Sequence, residues 1–204
     1  MKRNPKDMER ALRTIASGQA GYFTSAQARS VCYDYPQQHF HRQRGNWEQL
    51  GRGIFRFPDF PGSKFEHYVL WQLWSRNRSG RIQAVASHET ACVIYDISDL
   101  MPAKMHFTVP PTFRKKPPGG LVMHRAMLDP KDITEREGVL VTTPIRTIRD
   151  IAESQVGVEH LDAVVRDALH HGLVLRAQLL DARLSPVARE RMLTALLKLG
   201  EHAA

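Results

Sequence analysis

The chain has 204 residues, of which 42% are hydrophobic and 25% charged, and it carries 29 Lys and Arg against 21 Asp and Glu for a net charge of +8. That length holds one large domain or two small ones, and a charged fraction of this size excludes a membrane or fibrous class. Cys32 and Cys92 form neither a C-x-x-C pair nor a disulfide framework, the start Met1-Lys2-Arg3-Asn4-Pro5-Lys6 leads into no apolar run, and no stretch reaches membrane-spanning length, so a cytoplasmic protein is expected.

The charge is uneven. Residues 1–61 hold ten basic side chains against five acidic ones, a +5 excess that leaves +3 for the remainder. A basic head of this kind suits a polyanionic partner. Met8, Leu12 and Ile15, with Ala11 and Ala16, recur at helical spacing and predict a first helix over about 6–17, with Gly18 as its left-handed stop. Thr24-Ser25-Ala26-Gln27 is a capping box that opens a short helix ending near Val31. Asp34 or Tyr35, followed by Pro36, opens a third helix over about 36–44. In that helix only Phe40 has core character. Gln37, Gln38, His41, Arg42 and Arg44 are residue types that read base edges or hold phosphates. Two alternating runs around Gly51-Arg52-Gly53 predict a β-hairpin with Arg52 at its tip, closed by Pro58 and Pro61.

Helix, capped helix, turn, polar helix and hairpin in that order predict a winged helix-turn-helix over residues 1–61. Its third helix would enter the major groove of double-stranded DNA, with the hairpin as the wing. The expected DNA-contacting residues are Thr24, Tyr35, Gln37, Gln38, His41, Arg42, Arg44 and Arg52.

Residues 62–204 predict a mixed α/β domain closed by helices, which makes the whole chain α+β. A helix is expected over 64–75, then a basic loop over 76–81, a strand at 82–86, and a helix through Tyr95 capped by Ser87. Strands follow at 104–109, 121–126 and 138–141, separated by the basic loop Arg114-Lys115-Lys116. Helices are expected from Pro144, over 158–171, over 177–183 and over 186–199. No metal or cofactor is expected. His39 and His41 point to different faces of a helix, zinc spacings are not met, and Ser87 and His88 as chain neighbours would not face each other. Catalysis is therefore not expected.

Several segments together resemble the AbiEi-type antitoxins. They are Gly21-Tyr22-Phe23-Thr24-Ser25-Ala26-Gln27-Ala28, the run from Gly45 to Phe57, Ser87-His88-Glu89-Thr90-Ala91, Thr108-Val109-Pro110-Pro111, His124-Arg125-Ala126 and Thr142-Thr143-Pro144-Ile145-Arg146-Thr147. The resemblance covers about residues 8–175. It implies an N-terminal winged helix that binds inverted repeats at its own promoter and represses. It also implies a second domain that opposes a nucleotidyltransferase-like toxin encoded alongside. The reading that competes with it from the residues is a plain transcriptional regulator whose second domain dimerises or senses a ligand. A nucleic-acid-processing enzyme would need an acid–base or metal set that the sequence does not display.

Overall fold

The computed structural model describes residues 4–99 and 101–201, so Lys2 and Arg3 of the basic head lie outside the described residues. The chain divides into two compact units. The first runs through Ala84 and takes in Glu137–Val139, and the second comprises Val85–Arg136 and the residues from Leu140 onward. The first unit thus reaches beyond the boundary expected at residues 61 and 62 and includes the helix that follows it.

In the first unit, α1 (Pro5–Ser17) starts on Asn4, whose side chain accepts from the Lys6 amide, with Pro5 in the first turn. Its left-handed exit is not at Gly18, which has φ −77°. The exit is made by Ala20 and Gly21, at φ 51° and 85°. A Cβ on Gly21 would stand 2.6 Å from the Phe60 side chain, so this position admits only glycine. That turn delivers β1 (Tyr22–Thr24), a strand with no alternation long enough to announce it. The capping box of Thr24 and Gln27 opens α2 (Ser25–Ser30), and a second one, of Asp34 and Gln37, opens α3 (Tyr35–Gln43). β2 (Glu48–Gly51) and β3 (Ile54–Arg56) form the expected hairpin, and β1 adds to it in an antiparallel sheet of order β1-β3-β2.

Phe23 centres the core of this unit. Its ring lies 4.9 Å edge-on from Trp47, 5.8 Å from Phe55 and 4.9 Å from Phe57, over Met8, Leu12 and Ala16 from the buried face of α1. The helix α4 (Glu66–Ser75) packs on β1 and β3. Arg56 of β3 ties it down, pairing with Glu66 at 3.2 Å and donating to the Phe60 and Pro61 carbonyls.

The second unit is built on a five-stranded mixed sheet of order β6-β5-β4-β8-β7, made by β4 (Val85–Ala86), β5 (Met105–Val109), β6 (Leu121–Arg125), β7 (Ile133–Arg136) and β8 (Val139–Thr142). β4 is antiparallel to β5 and parallel to β8, and β5 is parallel to β6. Phe107, Val109 and also Thr108 are buried, because layers cover both faces of β5. The helices are α5 (His88–Tyr95), α6 (Pro144–Glu153), α7 (Val158–His170), α8 (Arg176–Leu180) and α9 (Pro186–Glu201). Ile148 and Ile151 of α6 and Leu161, Val164 and Val165 of α7 are fully buried, as their helical spacing requires.

The start of α5 departs from the sequence expectation. Ser87 holds the N-cap position, but its side chain makes no cap hydrogen bond. His88 takes a left-handed backbone with φ 52°, a conformation that costs a non-glycine residue on the order of 1–3 kcal/mol. The twist turns the imidazole back, so His88 Nδ1 lies 3.0 Å from Ser87 Oγ. Neighbours in the chain do face each other here. Among the described residues no helix is long and apolar enough to cross a membrane.

Candidate nucleic-acid interface

The cations of the first unit sort into two groups. On α1, Arg10 pairs with Asp7 at 2.7 Å, and Arg13 with both Glu9 and Asp59 at 2.9 Å. Arg56 is held by Glu66. By contrast Arg29, Arg42, Arg44 and Arg52 make no ion pair among the described residues, and all four are exposed. They belong to α2, to α3 and its C-cap, and to the turn between β2 and β3. The turn lies against the start of α2, where the Ser25 amide donates to the Gly53 carbonyl at 2.9 Å. Arg42 Nη1 donates to Gln49 Oε1 of β2 at 2.9 Å, which links α3 to the hairpin.

Two aromatic rings extend this surface. Tyr35 is 62% and Phe40 52% exposed, and each ring lies under a guanidinium, Arg29 at 5.0 Å from Tyr35 and Arg44 at 5.4 Å from Phe40. Phe40 was the one core residue expected of the third helix, and it faces outward instead. The inward position belongs to Gln38, which is only 4% exposed. Its amide donates to the Tyr33 carbonyl at 2.9 Å and the Ser25 carbonyl at 3.2 Å, and it accepts from Ser25 Oγ at 2.6 Å. Gln38 therefore sets the angle between α2 and α3 and has no face to offer a base, a correction to its expected role. An aromatic ring was displaced by an amide because the junction of α2 and α3 presents carbonyls and a hydroxyl that need partners.

Thr24 is also engaged internally. Its hydroxyl accepts from the Gln27 amide and from Arg76, whose second arm reaches Gln19 at 2.7 Å. His41 is half-buried, with its ring stacked 4.8 Å from Trp47 at 13°. Burial lowers its pKa from the ordinary imidazole range, opposed by the nearby Glu9 carboxylate, so it is neutral at pH 7. Gln37 is exposed and spends its carbonyl oxygen on the Asp34 amide at 3.0 Å. Of the eight expected residues, Tyr35, Gln37, Arg42, Arg44 and Arg52 present polar groups to solvent, and Thr24, Gln38 and His41 serve the packing. Arg29 was not among the expected residues. The signal was present in its place near the end of α2, six residues before an exposed tyrosine at the opening of α3.

The comparison with protein families bears on the second unit. Residues 84–201, more than half the chain, match the family described as AbiEi antitoxin C-terminal domain. The chain belongs to this antitoxin family. As a family member it has an antitoxin domain of a toxin–antitoxin system, and the mixed sheet with its closing helices is the body of that domain. No curated protein matches it. Among solved structures it is similar to the crystal structure of the RV2827C protein from Mycobacterium tuberculosis, at 18% identity and a TM-score of 0.55 over 98% of this chain and 79% of that one. At that identity the likeness is one of fold.

Proposed function

We propose that this AbiEi family member is a cytoplasmic DNA-binding antitoxin that represses its own toxin–antitoxin operon and counteracts a nucleotidyltransferase-like partner toxin. It acts by binding and not by catalysis. The observation that carries the DNA-binding half is the sorting of cations. Arginines on α1 are neutralised by acids, while Arg29, Arg42, Arg44 and Arg52 on α2, α3 and the hairpin turn are not. Unpaired guanidiniums on adjoining elements are what a phosphate backbone requires. The order α1-β1-α2-α3-β2-β3 supports a winged helix-turn-helix, with α3 in the major groove and the β2–β3 turn along the backbone or minor groove. Tyr35, Gln37 and Arg42 then reach base edges or sugars, and Arg29, Arg44 and Arg52 hold phosphates. We assign DNA contact to residues 1–61 and antitoxin action to residues 62–204, with α4 moving with the first part.

The test is a gel shift of the full chain on its own promoter at 50 and 200 mM salt. Arg29→Ala/Arg44→Ala/Arg52→Ala should flatten the dependence of affinity on salt by about 0.9 in log–log slope for each phosphate no longer neutralised. Arg10→Ala/Arg13→Ala removes cations that already have acidic partners and should leave the slope nearly unchanged. Equal effects of the two variants, both folded, would refute the assignment. The antitoxin half is tested by growth rescue when the chain is co-expressed with the product of the neighbouring reading frame.

A further inference from the structure

The helix α3 turns one side inward and two ridges outward. Gln38 is buried and His41 half-buried, and they set the inward direction. Residues four apart on a helix stand one above the other. Tyr35, His39 and Gln43 therefore form one ridge away from the core, and Pro36, Phe40 and Arg44 form the next. All six are exposed. Tyr35 and Phe40 each lie against a guanidinium, of Arg29 and Arg44. His39 and Gln43 are left as the hydrogen-bonding side chains along the middle of the outward face. Neither is among the expected DNA-contacting residues.

A chain of hydrogen bonds that starts in the hairpin fixes the His39 ring. Gln49 of β2 donates its amide to the Gly51 carbonyl at 3.2 Å, which turns Gln49 Oε1 toward Arg42, 2.9 Å away. The other arm of Arg42, Nη2, lies 3.2 Å from His39 Nδ1. A guanidinium only donates, so Nδ1 is the acceptor and the ring proton sits on Nε2. His39 thus offers one N–H from an exposed ring. Among the described residues neither His39 Nε2 nor the Gln43 amide has a hydrogen-bond partner. The first is a donor alone, and the second is a donor and an acceptor side by side.

We propose that His39 and Gln43 select the sequence of the duplex, His39 through a guanine and Gln43 through an adenine, with Arg42 and Gln49 as the residues that position the His39 ring. This rests on the DNA-binding reading above and names the bases within it. In the major groove guanine presents two acceptors, N7 and O6, so a lone N–H finds a partner on either. Adenine presents the N7 acceptor beside the N6 amino donor, the pattern that an amide meets with both of its groups. Four residues of helix rise about 6 Å, and successive base pairs lie about 3.4 Å apart, so the two contacts fall one or two base pairs from each other. Arg42 keeps further N–H groups for sugars and base edges.

The experiment offers the full chain a randomised duplex library and sequences the duplexes it retains. The unmodified chain should enrich a motif holding a guanine and an adenine one or two base pairs apart. His39→Ala should lose the guanine preference and Gln43→Ala the adenine preference, each by at least about five-fold and at that position alone. Both side chains are exposed, so both variants should fold. His39→Gln should move the preference at the first position from guanine to adenine, an exchange that a merely structural role for His39 would not produce. Gln49→Ala, which releases Arg42 and with it the ring, should blunt the guanine preference and spare the adenine one. Arg44→Ala should lower affinity for every sequence alike. Unchanged base preference in a folded His39→Ala or Gln43→Ala variant would overturn the inference and leave DNA binding standing. So would an unmodified chain whose affinity falls with salt but which enriches no sequence. A chain that retains no DNA at all would overturn the DNA-binding reading together with it.

Discussion

Gln38 separates two uses of a polar residue on α3, and replacing it with alanine tests which one operates. The substitution removes three hydrogen bonds and most of a side chain that is 4% exposed. The bond to the Tyr33 carbonyl is fully buried, so that oxygen is left without its partner at a cost of about 1–3 kcal/mol. The two groups of Ser25 are only partly buried, and water can recover much of what they give up. The missing packing of the Cγ methylene adds roughly 1 kcal/mol. The total is on the order of 2–4 kcal/mol. For a unit of about 60–100 residues each kcal/mol moves the melting midpoint by roughly 4–8 °C. The transition of the first unit should therefore fall by at least about 8 °C, read by calorimetry on the full chain. Operator binding measured well below that midpoint should keep most of its discrimination against random DNA. If Gln38→Ala left the midpoint in place and cost about 1–3 kcal/mol of discrimination instead, Gln38 would be a base reader and the packing argument would be refuted.

Two further outcomes follow from burial. His41, whose pKa burial lowers, binds fewer protons folded than unfolded between its folded pKa and the unfolded value of about 6.5. Its contribution is present above about pH 6.5 and is lost as the pH falls toward the folded pKa, so urea midpoints at pH 7 and pH 5 should differ less in His41→Asn than in the unmodified chain. Cys32 is exposed, whereas Cys92 is buried and its thiol pushed well up by desolvation. A thiol reagent at pH 8 should modify one cysteine quickly, and Cys32→Ser should remove that phase; a fast phase surviving the substitution would contradict the buried placement of Cys92.

What could be read from the sequence was set by local chemistry. Thr24 with Gln27, and Asp34 with Gln37, are spaced to cap a helix wherever they occur, and both capping boxes form. Arg52 between two glycines announces its own turn. Phe40 misled because one apolar residue on a polar helix invites burial, while the tertiary demand at the α2–α3 junction was for an amide. β1 and β7 were missed because strands of three and four residues carry too little alternation. The cluster of His88, His106 and His124, with ring centroids within 6.1 Å of one another, was missed for a different reason. Its members are spread from residue 88 to residue 124, and only the parallel pairing of β5 with β6 sets His106 and His124 on one face. The spacing along the chain carries no trace of that pairing.

Gln38 and the cluster of His88, His106 and His124 are both polar features set among packed elements, and the difference between them is informative. Gln38 has its donors and its acceptor matched within 3.2 Å on a helix with no backbone strain. Such a group is complete, and it accounts for its own burial by fixing one helix against another. In the second unit a left-handed His88, two imidazoles stacked at 3.5 Å and an Asp150 oxygen without an aligned hydrogen bond lie close together. None of these lowers the free energy of the isolated fold, and an apolar core would be more stable there. Strain and unmet polar groups that persist together cost stability, which is why the first feature is assigned to architecture and the second is not accounted for by it.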